Sequence, residues 1–403
     1  MMFQPPQRYL MGPGPAPVAP SVLQAQAQPT IGHLDPAFVG LMDEIQSQLR
    51  QVFHTENAFT MALSAPATAA MEACLANVLE AGDRVLICVN GVFGVRLAEM
   101  ARRCGAVVET LHFPWGRAVS PSALDETLQA AATPFKLVAW VQAETSTGAL
   151  SDSRALAALT RAHGALSLVD CVTAIAGVPI EVDAWGLDMV YAGTQKCLGA
   201  PPGLAPVTIS ERALAACRSR TTPVQTWFAD FSLLGGYWGE GQRRVYHHTA
   251  PVNALYGLHE ALRLVLEEGL EARWARHRRV SEQLVAGLAD MDIEVIPPEA
   301  ERLPPLTTLR IPEGVDDADF RRRLLERHHL EVGAGLGELA GKAWRIGLMG
   351  HGCNEEAVQR VLAAMREGDE EEASVEARQI TELGEAKIKA ILAVIDEKAL
   401  AGK

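Results

Sequence analysis

The chain has 403 residues, of which 48% are hydrophobic and 21% are charged. It is therefore long enough for two globular domains and too apolar to be a disordered protein. Acidic residues outnumber basic residues 49 to 36, and the formal net charge of −13 disfavours nucleic acid or an anionic membrane as the main partner. The charge does not exclude a local pocket for a small anion.

The cysteines and the apolar segments predict a cytoplasmic protein. The seven cysteines are scattered and never form a CxxC pair, which favours reduced thiols over disulfides or a zinc site. No apolar run reaches the roughly 18 to 20 residues that a membrane helix needs. The opening segment, MMFQPPQRYL, lacks the charged-then-apolar order of a secretory signal.

The composition of residues 1–30 predicts an N-terminal arm. The alternation of strands and helices predicts a large α/β domain at residues 31–274. The arm is rich in Pro, Gly, Ala and Gln, so we expect extended or loop structure with little helix. Helical periodicity begins at Phe38, and apolar strands then alternate with helices such as Ser153–His163, which indicates a mostly parallel sheet covered on both faces. The predicted strands are Arg84–Val89, Val107–Leu111, Leu137–Val141, Leu166–Val169, Met189–Ala192 and Ala205–Ile209.

A smaller C-terminal α/β domain is predicted at 275–366, after a long helix at Asn253–Glu268 and a charged segment at Glu271–Arg279. Its predicted strands are Ile293–Ile296, Thr307–Ile311 and Trp344–Gly347. Residues 367–403 contain ten acidic and five basic side chains and predict an acidic linker followed by an amphipathic tail helix. That helix would dock either on the protein itself or on a partner. Its apolar face would consist of Ile388, Ile391, Leu392 and Ile395.

Two polar residues follow predicted strands, at the positions where parallel sheets bind ligands. Asp170 comes directly after Leu166–Val169, and Lys196 follows Met189–Ala192 in the segment GTQKCLGAPPG. An amine there can form a Schiff base with an aldehyde cofactor, and a carboxylate can keep a pyridine nitrogen protonated, so the pair indicates pyridoxal phosphate. The alternatives are a helix cap for Asp170 and a solvated side chain for Lys196.

The segment at 167–210, which holds both residues, is one of several that together resemble the alanine:glyoxylate and serine:pyruvate aminotransferases of the class V family. The others are IGHLDPAFVGLMDEIQSQLRQVF (31–53), NGVFGVR (90–96), ETSTGAL (144–150), VYHHTAPVNALYGLHEAL (245–262) and AWRIGLMG (343–350). The resemblance runs from about Gly12 to Arg366 and stops at the tail. It implies pyridoxal-phosphate fold type I, with a mainly parallel seven-stranded sheet and a smaller C-terminal domain, in a homodimer with sites at the subunit boundary.

The resemblance also implies roles around the cofactor ring. Lys196 is then the Schiff-base lysine, and Asp170 is the partner of the pyridinium nitrogen. Phe93 stacks on the ring, at a position where relatives often carry Trp. Thr145 matches the small hydroxyl residue near the phenolic oxygen of the ring, and Val172 matches an apolar contact below it. A core or turn position is the plainer interpretation of Phe93, Thr145 and Val172.

Another group of residues is expected around the cofactor phosphate. The segment SAPATAAME leads into a predicted helix, so the backbone N–H groups near Ala67 and Thr68 can bind an anion. Relatives often carry glycine at the position of Ala67. By the resemblance, the Gln195 side chain is a phosphate ligand, and Tyr246 and Thr249 reach the phosphate from the other subunit.

Arg345 matches the family arginine that binds the substrate α-carboxylate through a bidentate fork. Without the resemblance, it would be interpreted as a surface arginine. The adjacent pair His247 and His248 could suggest a metal, but sequence neighbours do not converge on one ion, and no carboxylate or cysteine lies at ligand spacing. We therefore expect no metal site.

The implied reaction is a ping-pong transamination from alanine or serine to a keto acid, with glyoxylate as the expected acceptor. One alternative is the same chemistry with ureidoglycine or pyridoxamine as the donor. A second is a cysteine desulfurase-like lyase, although Gln195 stands where that branch carries His, and Cys353 is its sole weak support. A third is a non-catalytic scaffold that uses its tail helix. The joint presence of Asp170, Lys196 and Arg345 argues against the scaffold.

Overall fold

The computed structural model describes residues 1–239 and 244–367. Its helices are α1 (Pro20–Gln26), α2 (Pro36–Phe53), α3 (Ala67–Val78), α4 (Val92–Arg103), α5 (Pro121–Ala130), α6 (Ser153–Ala162), α7 (Val182–Trp185), α8 (Glu211–Arg218), α9 (Phe231–Trp238), α10 (Val252–Glu268), α11 (Leu270–Ala289) and α12 (Asp317–His328). Its strands are β1 (Tyr9–Leu10), β2 (Phe59–Leu63), β3 (Arg84–Val89), β4 (Val107–His112), β5 (Leu137–Val141), β6 (Ala143–Glu144), β7 (Ala149–Leu150), β8 (Leu166–Asp170), β9 (Met189–Tyr191), β10 (Ala205–Ile209), β11 (Leu306–Arg310), β12 (Leu330–Glu331), β13 (Gly333–Ala334) and β14 (Ala343–Gly347). Residues 355–367 are also helical. Apart from residue 367, the predicted linker and tail helix lie outside the described residues.

Within the described residues, seven strands form the large sheet in the order β2-β10-β9-β8-β5-β3-β4. The strands from β9 to β4 run parallel to one another, and β10 runs antiparallel to both of its neighbours. β5 and β8 are buried along their whole length, as their continuous apolar sequences require. The prediction of a mainly parallel, seven-stranded sheet is therefore confirmed.

The six strands predicted for this sheet are present, with ends that differ by at most one residue. The remaining strand, β2, was not predicted. It carries a buried threonine, and the hydroxyls of Thr60 and Thr208 lie 2.8 Å apart between β2 and β10.

Helix α2 covers the sheet with the stripe that the sequence predicts. Ile45, Leu49 and Val52 are buried and belong to the large hydrophobic core. The Asp35 side chain caps the helix by accepting a hydrogen bond from Ala37 N, and the left-handed residue His54 ends it. The apolar residues that recur with the helical period thus form the buried face of the helix.

The arm is more structured than its composition predicts. β1 pairs in parallel with β12, and the short helix α1 follows, so the expectation of little helix was wrong for α1. Pro20 stands in the first turn, where its fixed φ and missing N–H are tolerated. Val22 is buried in a small cluster that includes Ala200 and Ala261, and this packing stabilises the helix.

A second hydrophobic core lies in the C-terminal part of the chain. It packs against the antiparallel sheet β11-β14-β13. Helix α11 contributes Leu270 to the first core and Val280, Leu284 and Leu288 to the second. The division that the sequence suggests between residues 274 and 275 therefore falls inside one continuous helix.

The predicted strand Ile293–Ile296 was wrong. This segment makes only an isolated antiparallel bridge, between Val295 and Leu309. Asp292 has a φ of 54°, and Pro297 and Pro298 follow at once, so the segment is bounded by residues that cannot extend a strand ladder. Among the described residues, none of the helices combines the length and the apolar character that crossing a bilayer requires.

Candidate functional site

A cavity of about 180 Å³ lies at the carboxyl ends of the central parallel strands. The last residues of β5, β8 and β9, which are Val141, Asp170 and Tyr191, all line it. Eight of the eleven predicted site residues also line this cavity: Ala67, Thr68, Phe93, Thr145, Asp170, Val172, Gln195 and Lys196. The topology of the sheet thus brings together residues that are up to 129 positions apart in the sequence.

The Asp170 carboxylate is buried at the end of β8 and held by two donors. One oxygen accepts a hydrogen bond from Val172 N (2.9 Å), and the other accepts from the Tyr191 hydroxyl (2.7 Å). Burial raises the pKa of the Asp170 carboxyl to about 6, although these two hydrogen bonds and the nearby charges of Lys196 and Arg96 act in the opposite direction. A carboxylate in such a dry setting interacts strongly with a cationic N–H group.

The Lys196 side chain enters the cavity from the segment after β9. Its Nζ donates to the carbonyl of Pro13, in the N-terminal arm. Burial, followed by the positive charge of Arg345, lowers the pKa of the Lys196 ammonium to about 8. A Cβ on the neighbouring residue Gly14 would lie 2.5 Å from Nζ, so glycine leaves room for the lysine there. The amine can therefore lose its proton near neutral pH.

The backbone around Lys196 is fixed from the other side by helix α11. The Arg273 guanidinium is buried and donates to the carbonyl of Cys197 (2.6 Å) and to the carboxylate of Glu268 (2.6 Å). The turn closes with a hydrogen bond from Gly199 N to the Lys196 carbonyl (3.0 Å). These contacts hold the lysine backbone while its side chain reaches into the cavity.

One end of the cavity is suited to an anion. Helix α3 begins there at Ala67, and its N-cap residue Pro66 offers no side-chain cap, so N–H groups of the first turn are available to a ligand. The Thr68 hydroxyl accepts a hydrogen bond from Arg96 (3.3 Å). Gln195 lines the same cavity. Backbone donors, a hydroxyl, an amide and a guanidinium together form a typical set for a phosphate group.

The Phe93 ring forms part of the cavity lining, and the Arg96 guanidinium carbon lies 4.9 Å from the centre of the ring. Both residues belong to the first turns of α4. Thr145 lines the cavity from the segment after β6, and Val172 lines it from the segment after β8. The cavity lining therefore includes an aromatic ring, a buried hydroxyl residue and an apolar side chain.

Arg345 is not among the cavity-lining residues but lies directly behind Thr145. Its side chain is buried, with 6% of the residue exposed, and donates to the carbonyls of Ala334 (2.7 Å) and Thr145 (3.1 Å). Burial lowers the pKa of Arg345 to about 10, and the charge of Glu144 opposes that shift. The interpretation of Arg345 as a surface arginine is therefore wrong.

Tyr246 and Thr249 do not line the cavity of their own chain. Both are exposed, Tyr246 to 60%. Between them, His247 stacks on Trp227 with ring centres 4.4 Å apart, and His248 Nε2 lies 2.7 Å from the Ser64 hydroxyl. Within residues 1–239 and 244–367, no three His, Cys, Asp or Glu side chains come together as metal ligands.

Tyr191, Arg96 and Glu144 are among the residues of the site that the sequence analysis missed. Tyr191 ends a strand, as Asp170 does, so the same positional rule could have found it. Arg96 follows Phe93 by three residues on a helix, a spacing that places both on one face. Glu144 is fully buried beside Thr145 and Arg345, and it opens the segment ETSTGAL, to which the sequence analysis assigned a role only at Thr145.

These residues fit pyridoxal phosphate. A buried amine of lowered pKa and a buried carboxylate share one cavity, an aromatic ring lines the same cavity, and the anion-binding end has uncapped helical N–H groups. Each chemical group of the cofactor thus has a complementary group in the lining: an amine for the aldehyde, a carboxylate for the pyridine nitrogen and donors for the phosphate.

Comparison with known proteins agrees with this geometry. Residues 8–361 match the family model described as Aminotransferase class-V. The chain is 49% identical to the alanine–glyoxylate aminotransferase of Nostoc sp., and the superposition covers 91% of this chain and 97% of that chain with a TM-score of 0.89. It is 39% identical to the (S)-ureidoglycine–glyoxylate transaminase of Bacillus subtilis, over 89% of this chain and 90% of that protein. It is 37% identical to the alanine–glyoxylate aminotransferase of Drosophila melanogaster, over 90% of this chain and 92% of that protein.

Proposed function

Because the chain belongs to the class V aminotransferase family and is a pyridoxal-phosphate-dependent aminotransferase, we propose that it transfers the amino group of alanine or serine to glyoxylate by a ping-pong mechanism. The observation that carries this proposal is the convergence of Asp170 and Lys196 on one cavity, with the buried Arg345 behind it. The names of the relatives support glyoxylate as the acceptor, because it is common to the alanine and ureidoglycine enzymes.

Bound pyridoxal phosphate supplies a carbonyl that condenses with amines and a ring that draws electrons from the substrate Cα. In our proposal, Lys196 Nζ, once it is free, removes the proton from the substrate Cα and returns it later in the reaction. The lowered pKa of Lys196 keeps part of this amine unprotonated near neutral pH. The Asp170 carboxylate keeps the pyridine nitrogen protonated, and the Tyr191 hydroxyl and Val172 N–H hold the carboxylate in place.

The other residues bind and orient. The N–H groups of Ala67 and Thr68 and the side chain of Gln195 would hold the phosphate, together with the guanidinium of Arg96. The ring of Phe93 would stack on one face of the cofactor. The remaining two roles are the apolar contact below the ring, proposed for Val172, and the hydroxyl near its phenolic oxygen, proposed for Thr145.

Arg345 is the proposed site for the substrate carboxylate. Among the described residues, Nε and Nη1 of Arg345 donate to backbone carbonyls, which accounts for two of its five N–H donors. The Nη2 group remains available to bind a carboxylate. These two bonds also fix the plane of the guanidinium before substrate arrives. A preorganised arginine loses little conformational entropy when it binds a ligand.

A half-reaction screen tests the choice of substrate. Alanine or serine should abolish the visible absorption of the loaded enzyme faster than glycine, ureidoglycine, pyridoxamine or cysteine, and glyoxylate should restore it. In an Arg345→Gln variant, the alanine concentration for half-maximal rate should rise by about 10- to 100-fold, because hydrogen bonds to a charged group are lost. Arg310→Gln, at an exposed position on β11, is the matched control and should change nothing.

If only ureidoglycine or only pyridoxamine abolished the visible absorption, that compound would be the amino donor and the proposal of alanine or serine would be wrong. The ureidoglycine alternative has a specific basis in the 39% identity to the Bacillus subtilis enzyme. A desulfurase has no comparable support, because Cys353 is buried and burial raises the pKa of its thiol to about 11. Such a thiol is a poor nucleophile.

The proposal includes a homodimer in which Tyr246 and Thr249 complete the partner's site. Both residues are exposed in one chain, and the neighbouring Trp227 and Val245 are apolar and 63% and 64% exposed. Apolar side chains with this exposure favour burial in an interface. We further propose that the enzyme works in the cytoplasm, since the seven cysteines are unpaired.

Coexpression of two inactive chains tests the shared site. A Lys196→Ala chain lacks the amine, and a Tyr246→Ala, Thr249→Ala chain lacks the residues that it would give to its partner. A mixed dimer contains one intact site, so random pairing should restore about one quarter of the wild-type activity. If the mixture stays as inactive as each parent, or if the wild-type chain sediments as a 43.3 kDa monomer, the dimer proposal is wrong.

A further inference from the structure

The carboxylate of Glu144 accepts hydrogen bonds from two separate parts of the cavity lining. One oxygen accepts from the backbone N–H (3.1 Å) and the hydroxyl (2.6 Å) of Ser146. The other accepts from the backbone N–H of Phe93 (3.2 Å), and the N–H of Gly94 donates to the same carboxylate. Three of these four donors are backbone N–H groups, which can donate but never accept. The arrangement therefore requires an acceptor with charge or lone pairs on both oxygens.

Two of these donors belong to the first turn of α4, which carries Phe93. The N-cap of this helix, Gly91, provides no side-chain cap, and the N–H of Val92 donates instead to the Ser146 hydroxyl (2.9 Å). Glu144 and Ser146 thus satisfy the first N–H groups of a helix that lies 50 residues earlier in the chain. Burial raises the pKa of the Glu144 carboxyl to about 7, while its hydrogen bonds favour the ionised form. When ionised, the carboxylate also lies at the positive end of the helix dipole, where negative charge is favourable.

The two remaining donors, both from Ser146, hold the carboxylate against the segment that carries Thr145. The carbonyl of Glu144 accepts from Thr147 N (3.1 Å) and Gly148 N (2.8 Å), and these bonds close the turn between β6 and β7. Thr145 lies inside this turn, with its side chain on the cavity and its carbonyl against Arg345 (3.1 Å). The position of Thr145 therefore depends on the same residue as the position of Phe93.

Packing leaves little room for a different arrangement. A Cβ at Gly91 would overlap the Glu144 side chain and the Ser146 hydroxyl. Glu144 has no exposed surface, so water cannot replace its hydrogen bonds if the side chain is removed. Loss of the carboxylate would leave buried donors without a partner and separate α4 from the turn.

We propose that Glu144 is a positioning residue, which holds Phe93 and Thr145 at a fixed separation in the lining of the cofactor cavity and so determines how tightly pyridoxal phosphate is bound. The inference rests on the cofactor and site proposed above, and it adds a residue that contacts neither the cofactor nor the substrate. It also connects cofactor binding with the carbonyl that orients Arg345.

The test compares the loaded enzyme in its wild-type, Glu144→Gln and Asp188→Asn forms. The glutamine is nearly isosteric but points an NH2 group at backbone donors, so the dissociation constant for pyridoxal phosphate should rise about tenfold or more. The visible circular dichroism of the bound cofactor should change, and KM for the amino donor should rise more than kcat falls. Asp188 is a matched control, because it is equally buried, accepts hydrogen bonds from Ser167 N and Arg212, and lies at the opposite end of β9.

If Glu144 had only a structural role, both variants would lose thermal stability. Glu144→Gln would then have the same cofactor affinity, circular dichroism and KM as Asp188→Asn. This result would overturn the proposal. If Glu144→Gln fails to fold, Ser146→Ala replaces it, since it removes the link to Val92 and keeps the carboxylate. Smaller shifts in the same direction support the proposal, and unchanged cofactor affinity overturns it. These cofactor readouts do not depend on the amino donor, so a wrong substrate assignment leaves them intact.

Discussion

Replacing Lys196 with alanine should reduce turnover by about a thousandfold or more, because general acid–base groups contribute about 10²- to 10⁴-fold and this amine also carries the covalent step. The Lys196 side chain enters a buried cavity, and its amine has a lowered pKa, so the variant loses the proposed proton carrier at the cavity. The rate of transamination with alanine and glyoxylate measures the effect, and the visible absorption of the loaded protein should also change.

Lys136→Ala is the control for this prediction. Lys136 forms a partly exposed ion pair with Asp83, before the start of β5 and away from the cavity, and its loss should leave turnover within about twofold of wild type. Normal activity of the Lys196→Ala variant with alanine and glyoxylate would show that the lysine assignment is incorrect.

The Asp170→Asn variant should retain its fold but lose activity by about 30- to 5,000-fold, since breaking a buried charge pair costs about 2 to 5 kcal/mol. The amide keeps an oxygen for Val172 N or for the Tyr191 hydroxyl but cannot stabilise a cationic ring nitrogen. Single-turnover kinetics with alanine measure the loss, which should fall on the proton-transfer step and leave cofactor binding less affected.

Tyr191→Phe separates the charge of Asp170 from its orientation. It removes one hydrogen bond of 2.7 Å and keeps the carboxylate, so activity should fall by only about three- to tenfold. If Asp170→Asn were no more harmful than Tyr191→Phe, the negative charge would have no role in the reaction. The role proposed for Asp170 would then fail.

The large sheet could be predicted from the sequence because it is buried on both faces. Every residue of Leu137–Val141 is buried, and such a strand has an uninterrupted apolar sequence instead of an alternating one. Ile293–Ile296 is apolar except for Glu294 and lies between a residue of positive φ and two prolines, so its hydrophobicity overstated its strand character. The helix α1 was missed for the opposite reason, since its stability comes from contacts of Val22 with distant residues.

The site could be predicted only in part. Asp170 and Lys196 follow strands, so their position along the chain indicates the edge of the sheet at which they meet. Arg345 has no such signal, and only the family resemblance predicted a role for it. Glu144 lies in the segment ETSTGAL, but no role was predicted for it, because its contacts with the start of α4 exist only after the turn and the helix have folded together.

The pairing of β1 with β12 has a consequence for the order in which the protein acquires its site. Tyr9 pairs with Leu330, and Pro13, just after β1, supplies the carbonyl that contacts Lys196. At about 5 to 20 residues per second, a ribosome needs roughly 15 to 65 s to make the intervening chain. During that time the first residues have no strand to pair with, whereas the parallel strands up to β9 are already available. β1 is therefore synthesised long before β12 and can pair with it only after β12 has been made.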